Sequence, residues 1–231
     1  MMRKKIQMIS AISALMLATT AAMAASRAHS NNIVVVSPAA APGLAQSGGE
    51  AMYLHSTGDG KTLLYVETQA GHSISVLDVS NPAHVRAVAN LPLGTKGVYD
   101  FVQDVGDSGA LIRYRDGSGI ALLDLTHPGA PSLVEEPALE HAGGGETFGR
   151  SGLLLTSEKL PVMEEQRPRT YFVMDTEDIA RPSLLATVPA VTQRVTRADT
   201  GTIFLLNQDG VTMVRRPALE LAQTAMENPH N

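Results

Sequence analysis

One short pattern recurs along this chain and limits what it can fold into more than any other feature. An apolar run rich in β-branched residues ends in an acid, and a proline turn follows. It reads Ile74-Ser75-Val76-Leu77-Asp78-Val79-Ser80-Asn81-Pro82, and again Ile120-Ala121-Leu122-Leu123-Asp124-Leu125-Thr126-His127-Pro128. A third copy is Tyr171-Phe172-Val173-Met174-Asp175-Thr176, with its proline delayed to Pro182. A degenerate fourth is Val211-Thr212-Met213-Val214-Arg215-Arg216-Pro217, with Arg215 in place of the acid. A period of roughly 40–50 residues is the length of one four-stranded propeller blade.

The rest of each module agrees. A second apolar run precedes each marked strand, at residues 62–66, 110–114, 153–156 and 203–206. Turns containing Gly60, Gly109, Gly152 and Gly201 lead into these runs, and glycine there is expected to supply the positive φ of a tight turn. Loops 69–72, 116–119 and 207–210 join the paired runs, so the strands are antiparallel neighbours. The third module has a longer, charged insertion at 158–169 instead. Returning strands are expected at 85–93, 132–139 and 183–191. The fourth module lacks one, and its tail reads as one short helix with a frayed end over 218–231.

An unpartnered strand-like run, Ile33-Val34-Val35-Val36, stands in the small-residue segment 25–48. These features predict an all-β fold: a small β-propeller of about four blades of antiparallel strands over residues 49–217. The N-terminal strand at 33–36 is expected to complete the last blade and close the ring, which removes two exposed sheet edges; the competing reading is an open arc that needs a second chain.

The segments Val76-Leu77-Asp78-Val79-Ser80-Asn81-Pro82 and Leu122-Leu123-Asp124-Leu125-Thr126-His127-Pro128 resemble the LVIVD repeat of bacterial secreted and surface proteins. The third copy matches only at Phe172-Val173-Met174-Asp175, and the fourth lacks the aspartate. The resemblance implies a β-propeller and an extracytoplasmic location. It implies little about chemistry, because propellers host many functions.

The N-terminus supports that address. Arg3, Lys4 and Lys5 precede an apolar stretch at 6–22, and Ala22-Met23-Ala24 presents small residues where a signal peptidase reads them. Residues 1–24 are therefore predicted to be a cleaved signal peptide. No second long apolar run follows, so no membrane span is expected after cleavage, and the mature protein is assigned to the periplasm or the exterior. A net charge of −5 gives no basic face for nucleic acid. The chain has no cysteine, which excludes disulfides, thiolate metal sites and cysteine nucleophiles.

Motifs that resemble catalytic signatures have plainer readings. Asp78, Asp124 and Asp175 each precede a turn, where a carboxylate accepts backbone N–H groups and fixes the corner. Gly106-Asp107-Ser108-Gly109 resembles a serine-protease nucleophile motif but falls where a hairpin turn is expected. Counted as a calcium loop from Asp104, the same stretch has Arg115 where glutamate is required. Gly143-Gly144-Gly145 lacks the lysine and helix of a phosphate cradle. No histidine spacing matches a zinc site. No catalytic residue, metal or cofactor is assigned.

A propeller most often binds at one mouth of its channel, where the inner strands begin. The expected ligand-binding set is Glu50, His55, Asp104, Glu146, Arg150 and Arg197, with Asp100 and Arg194 nearby. Glu50 and Glu146 open the first and third modules, which face each other in a ring of four. The reading is an exported, non-catalytic module that binds a small ligand or a periplasmic or surface protein, with the insertion as a partner contact. A closed ring implies a monomer. The alternative is a channel-mouth hydrolase or lyase using a His–carboxylate pair, His55 with Asp104, or a bound divalent cation. N-terminal sequencing of the exported protein should begin at Ala25; a product that retains Met1 would refute the leader.

Overall fold

The computed structural model describes residues 27–29, 33–140, 142–157 and 168–227. The leader at 1–24, His141, residues 158–167 of the insertion and the last four residues lie outside the described residues, and Arg169, the insertion's last residue, begins a strand. The chain divides into two compact units, Met1–Ala40 and Ala41–Asn231.

In the first unit, β1 (Arg27–His29) pairs antiparallel with β2 (Val34–Val36), and a 3-10 turn follows at Pro38–Ala40. The valine run thus finds its backbone partner a few residues upstream. A local hairpin closes a short loop, whereas pairing with the far end of the chain closes a very long one. This corrects the expected ring closure: β2 adds no strand to the fourth sheet, and among the described residues no ring closes.

The second unit is all-β and blade-like. The first sheet runs in order through β3 (Gly49–Ser56), β4 (Thr62–Thr68), β5 (Ser73–Asp78) and β6 (Arg86–Pro92). The second holds β7 (Tyr99–Val105), β8 (Gly109–Tyr114), β9 (Ile120–Asp124) and β10 (Ser132–Val134), followed by α1 (Pro137–Glu140). The third holds β11 (Gly144–Thr147), β12 (Gly152–Thr156), β13 (Arg169–Asp175) and β14 (Ser183–Val191). The fourth has three strands, β15 (Gln193–Arg197), β16 (Thr202–Asn207) and β17 (Gly210–Val214), and α2 (Pro217–Glu227) ends the described chain. All pairings are antiparallel.

Strand alternation explains the packing. Successive side chains point to opposite faces. Leu63, Tyr65, Ile74 and Val76 of the first sheet pack against Ala110, Ile112, Ala121 and Leu123 of the second. Leu111 and Leu122, one residue out of phase, face Leu153, Leu155 and Met174 of the third. Leu154, Tyr171 and Val173 then face Ile203 and Leu205 of the fourth. A strand buried on both faces must be apolar throughout, and β8 accordingly exposes only Arg113. The outermost sheets have one covered face, so β4 alternates between buried and half-buried residues. A 3-10 turn at Gly43–Gln46 lies over β5 and β6, and it accounts for the full burial of β5.

The repeated aspartates fix the corners as expected. Asp78 accepts from the Ser80 amide at 3.0 Å, Asp124 from Thr126 at 2.8 Å and Asp175 from Glu177 at 2.9 Å. The residue after each acid donates to the residue at or just before the start of the preceding strand: Val79 to Thr62, Leu125 to Ser108 and Thr176 to Ser151. The Ser80 hydroxyl and amide, with Arg86 as a further partner, draw the Asp78 carboxyl down to about 2. In the fourth copy Arg215 binds Glu220 of α2 instead.

Two local expectations need correction. The strand expected over 132–139 stops at Val134, because Pro137 has no amide for the ladder and suits the first turn of a helix. Ala138 and Leu139 stay buried on α1. Gly60 and Gly201 have positive φ as expected, but in the middle sheets Gly106 and Gly149 take that role. Gly109 and Gly152 are needed for space, since a Cβ there would press on Ile179 and on the Phe148 ring. The Gly106–Gly109 stretch is the hairpin turn predicted for it. Leu111 is fully buried at the second junction. Leu111→Ala should cost about 2–5 kcal/mol in urea unfolding.

Candidate functional site

The inner strands β3, β7, β11 and β15 open the four sheets and carry the predicted site residues except Arg150, which lies in the turn between β11 and β12. β3 and β7 lie side by side in parallel: Glu50 is near Asp100, Tyr53 near Phe101 and His55 near Asp104. Five residues of extended chain span about 17 Å. The predicted set therefore splits between the two ends of the inner strands and does not gather at one mouth.

At the leading end, ion pairs stitch neighbouring sheets. The Arg115 guanidinium, just after β8, donates to Glu50 Oε2 at 2.5 Å and to the Glu50 carbonyl at 3.0 Å. It also donates to Asp100 Oδ1 at 2.7 Å. Arg115 lowers the Asp100 carboxyl below its ordinary range, and its own affinity for the proton rises in return. Between the third and fourth sheets, Glu146 of β11 pairs with Arg194 of β15. Glu50 and Glu146 thus each bind an arginine from the next sheet, and no contact joins the two carboxylates. Behind Glu50, the fully buried Glu67 accepts the Glu50 amide at 2.9 Å through Oε2, and its Oε1 has no hydrogen-bond partner.

At the trailing end, Asp104 Oδ1 accepts the Tyr53 hydroxyl and lies 3.7 Å from His55 Nδ1. His55 is 6% exposed and Asp104 is 68% exposed. Arg150 binds Asp107 of the β7–β8 turn, bridging the second and third sheets. Arg197 binds Asp199 within its own hairpin. No group of three metal-ligating side chains occurs among the described residues.

A wide opening lies at the leading end of the third and fourth sheets. It is a solvent-open groove of about 560 Å³ lined by Arg169, Tyr171, Thr192, Gln193 and Arg194, with Val191 and Val195. Of these, the sequence places Arg194 and the loop 191–194 at the mouth, and Arg169 at the end of the charged insertion, whereas the structure puts Arg169 on β13. Arg169 and Tyr171 lie on β13 and reach the groove only through the packing of β13 and β14 beside β15. Arg115 and Tyr53 also escaped sequence reasoning, because their roles depend on the register between sheets.

No family model and no curated protein matches the chain. Among solved structures, a protein from Lactobacillus plantarum aligns at 14% identity with a TM-score of 0.38, covering 71% of this chain and 50% of that one. A eukaryotic initiation factor aligns at 12% identity with a TM-score of 0.40, covering 71% of this chain and 43% of that one. The chain spans about half the length, or less, of these structures.

Aromatic residues concentrate where the first sheet meets the second. Tyr53 stacks on Phe101 with centroids 5.1 Å apart, and Tyr99 meets Phe101 edge-on at 5.4 Å. Burial pushes the Tyr65 hydroxyl up to about 12. Burial also raises Tyr53, with Asp104 adding to it, and raises Tyr99, with Glu67 adding to it. In the unfolded chain these phenols ionise near pH ~10. Their contribution to stability is therefore complete below pH ~10 and is lost as the pH rises towards the folded values. Denaturant midpoints should fall from about pH 10 upward, and Tyr65→Phe should reduce that fall.

Proposed function

We propose that this chain is an exported, non-catalytic propeller-type module that binds a small anionic ligand in the groove between its third and fourth sheets. The observation that carries this reading is the groove itself. Two guanidinium groups, Arg169 and Arg194, line one opening with the Thr192 hydroxyl, the Gln193 amide and the Tyr171 ring. Guanidinium groups recognise carboxylate and phosphate by geometry as well as charge. A volume of about 560 Å³ suits a small molecule. Glu146 holds Arg194 in place from the neighbouring sheet.

The address rests on the leader at 1–24 and on the resemblance to LVIVD repeats, both of which are sequence readings. The alternative hydrolase or lyase gains little from its His–carboxylate pair. His55 and Asp104 do come together, but their exposures are inverted for general base catalysis. The imidazole that must reach a substrate is buried, and the carboxylate that should orient it lies in solvent and is engaged by Tyr53.

Isothermal titration with succinate, citrate and inorganic phosphate tests the proposal. At least one should bind, and Arg194→Gln should weaken it about tenfold or more, or ~1.4 kcal/mol, with the thermal midpoint unchanged. Absence of binding by all three, or equal binding by the variant, would refute it.

A further inference from the structure

We propose that two copies of this chain associate head to tail, the outer face of the fourth sheet of one copy packing on the outer face of the first sheet of the other. The repeat itself supplies the reason. Each internal junction is heterologous: the forward face of one sheet meets the backward face of the next, and this happens three times in succession. The series leaves one backward face, on the first sheet, and one forward face, on the fourth. No cluster of buried residues joins these two faces within the chain, among the described residues.

The fourth-sheet face and the β3–β4 half of the first-sheet face are apolar and open; the Gly43–Gln46 turn covers the β5–β6 half. On the first sheet, Met52 and Leu54 of β3 are 73% and 60% exposed, beside half-buried Leu64 and Val66. On the fourth, Val211 and Met213 of β17 are 57% and 60% exposed, beside Leu206 and the half-buried Phe204. The middle sheets show no comparable face, because both of theirs are spent on neighbours. The fourth-sheet face also has relief: a groove of about 410 Å³ is lined by Phe204 and Met213 and otherwise by polar side chains, Arg197, Arg215 and Glu220 among them. Met52 and Leu54, which stand out from β3, are the side chains to meet Phe204 and Met213 at its apolar edge.

A second copy is the occupant that carries the complementary face by construction, through the forward-to-backward pairing that already seals the interior. Two copies present two such pairs of faces, and a two-fold arrangement satisfies both at once. The monomer expected from the sequence depended on a ring closed within one chain, and that closure is absent among the described residues. The proposal is independent of ligand binding between the third and fourth sheets.

Sedimentation velocity on the full chain decides it, using Leu54→Glu and Met213→Glu. Both sites are exposed, so each variant should keep the wild-type circular dichroism, while losing the added thermal stability that association gives the wild type at high concentration. The wild type should sediment as a concentration-dependent dimer, and each variant alone as a monomer. An equimolar mixture of the two variants should form dimers again, because the intact fourth sheet of one meets the intact first sheet of the other. A monomeric wild type, whether its faces are covered by its own chain or stay bare, would overturn the proposal. So would a dimer that survives both substitutions, a mixture that stays monomeric, or a ladder of larger species.

Discussion

Sidedness is the constraint on which the structure depends. An antiparallel sheet has two faces, and each apolar face must meet another. A sheet with one neighbour can alternate polar and apolar residues along its strands, whereas a sheet between two neighbours cannot. The third sheet shows the rule most clearly. Leu153 and Leu155 point back to the second sheet, and Leu154, between them, points forward to the fourth. Three consecutive leucines thus serve two junctions. The polar groups that such strands cannot hold within their length are pushed to the strand ends, where Arg115, Glu146, Arg150 and Arg194 form their ion pairs.

Much of this was legible in residue order. The Asp-turn pattern gave the period and the positions of β5, β9 and β13, and the corner role of each carboxylate followed from its place before a turn. The hairpin loops at 69–72 and 207–210 and the helix after Pro217 were also readable, because local backbone preferences decide them. The departures came where a choice between partners mattered. Residues 33–36 look like a strand that needs a neighbour, but residue order does not reveal that 27–29 will be that neighbour. Gly109 and Gly152 stand at turns, yet it is the proximity of Ile179 and Phe148 that requires them to be glycine.

The site was legible in its residues more than in its arrangement. Glu50, Asp100, Glu146 and Arg194 do share the leading end, as their positions at the start of inner strands imply. His55, Asp104, Arg150 and Arg197 lie a strand's length away. Arginines from neighbouring sheets engage both glutamates, which were expected to face each other. That follows from distance: a partner on the adjacent sheet is within reach of a guanidinium, and salt screens charges that stand farther apart. Tyr171 entered the groove from a strand read only as a carrier of the repeat, and Arg169, assigned by sequence to the charged insertion, proved to be the first residue of that strand.

The uneven placement of aromatic residues has an optical consequence. The chain has no tryptophan. Tyr53, Tyr65, Tyr99 and Tyr114 cluster at the junction of the first two sheets, and Tyr171 alone serves the last. Intrinsic fluorescence and near-ultraviolet dichroism therefore gauge a single seam of the molecule. The seam between the second and third sheets, built from aliphatic side chains and Phe172, contributes almost nothing to either signal. Its loosening would pass nearly unseen by eyes tuned to tyrosine.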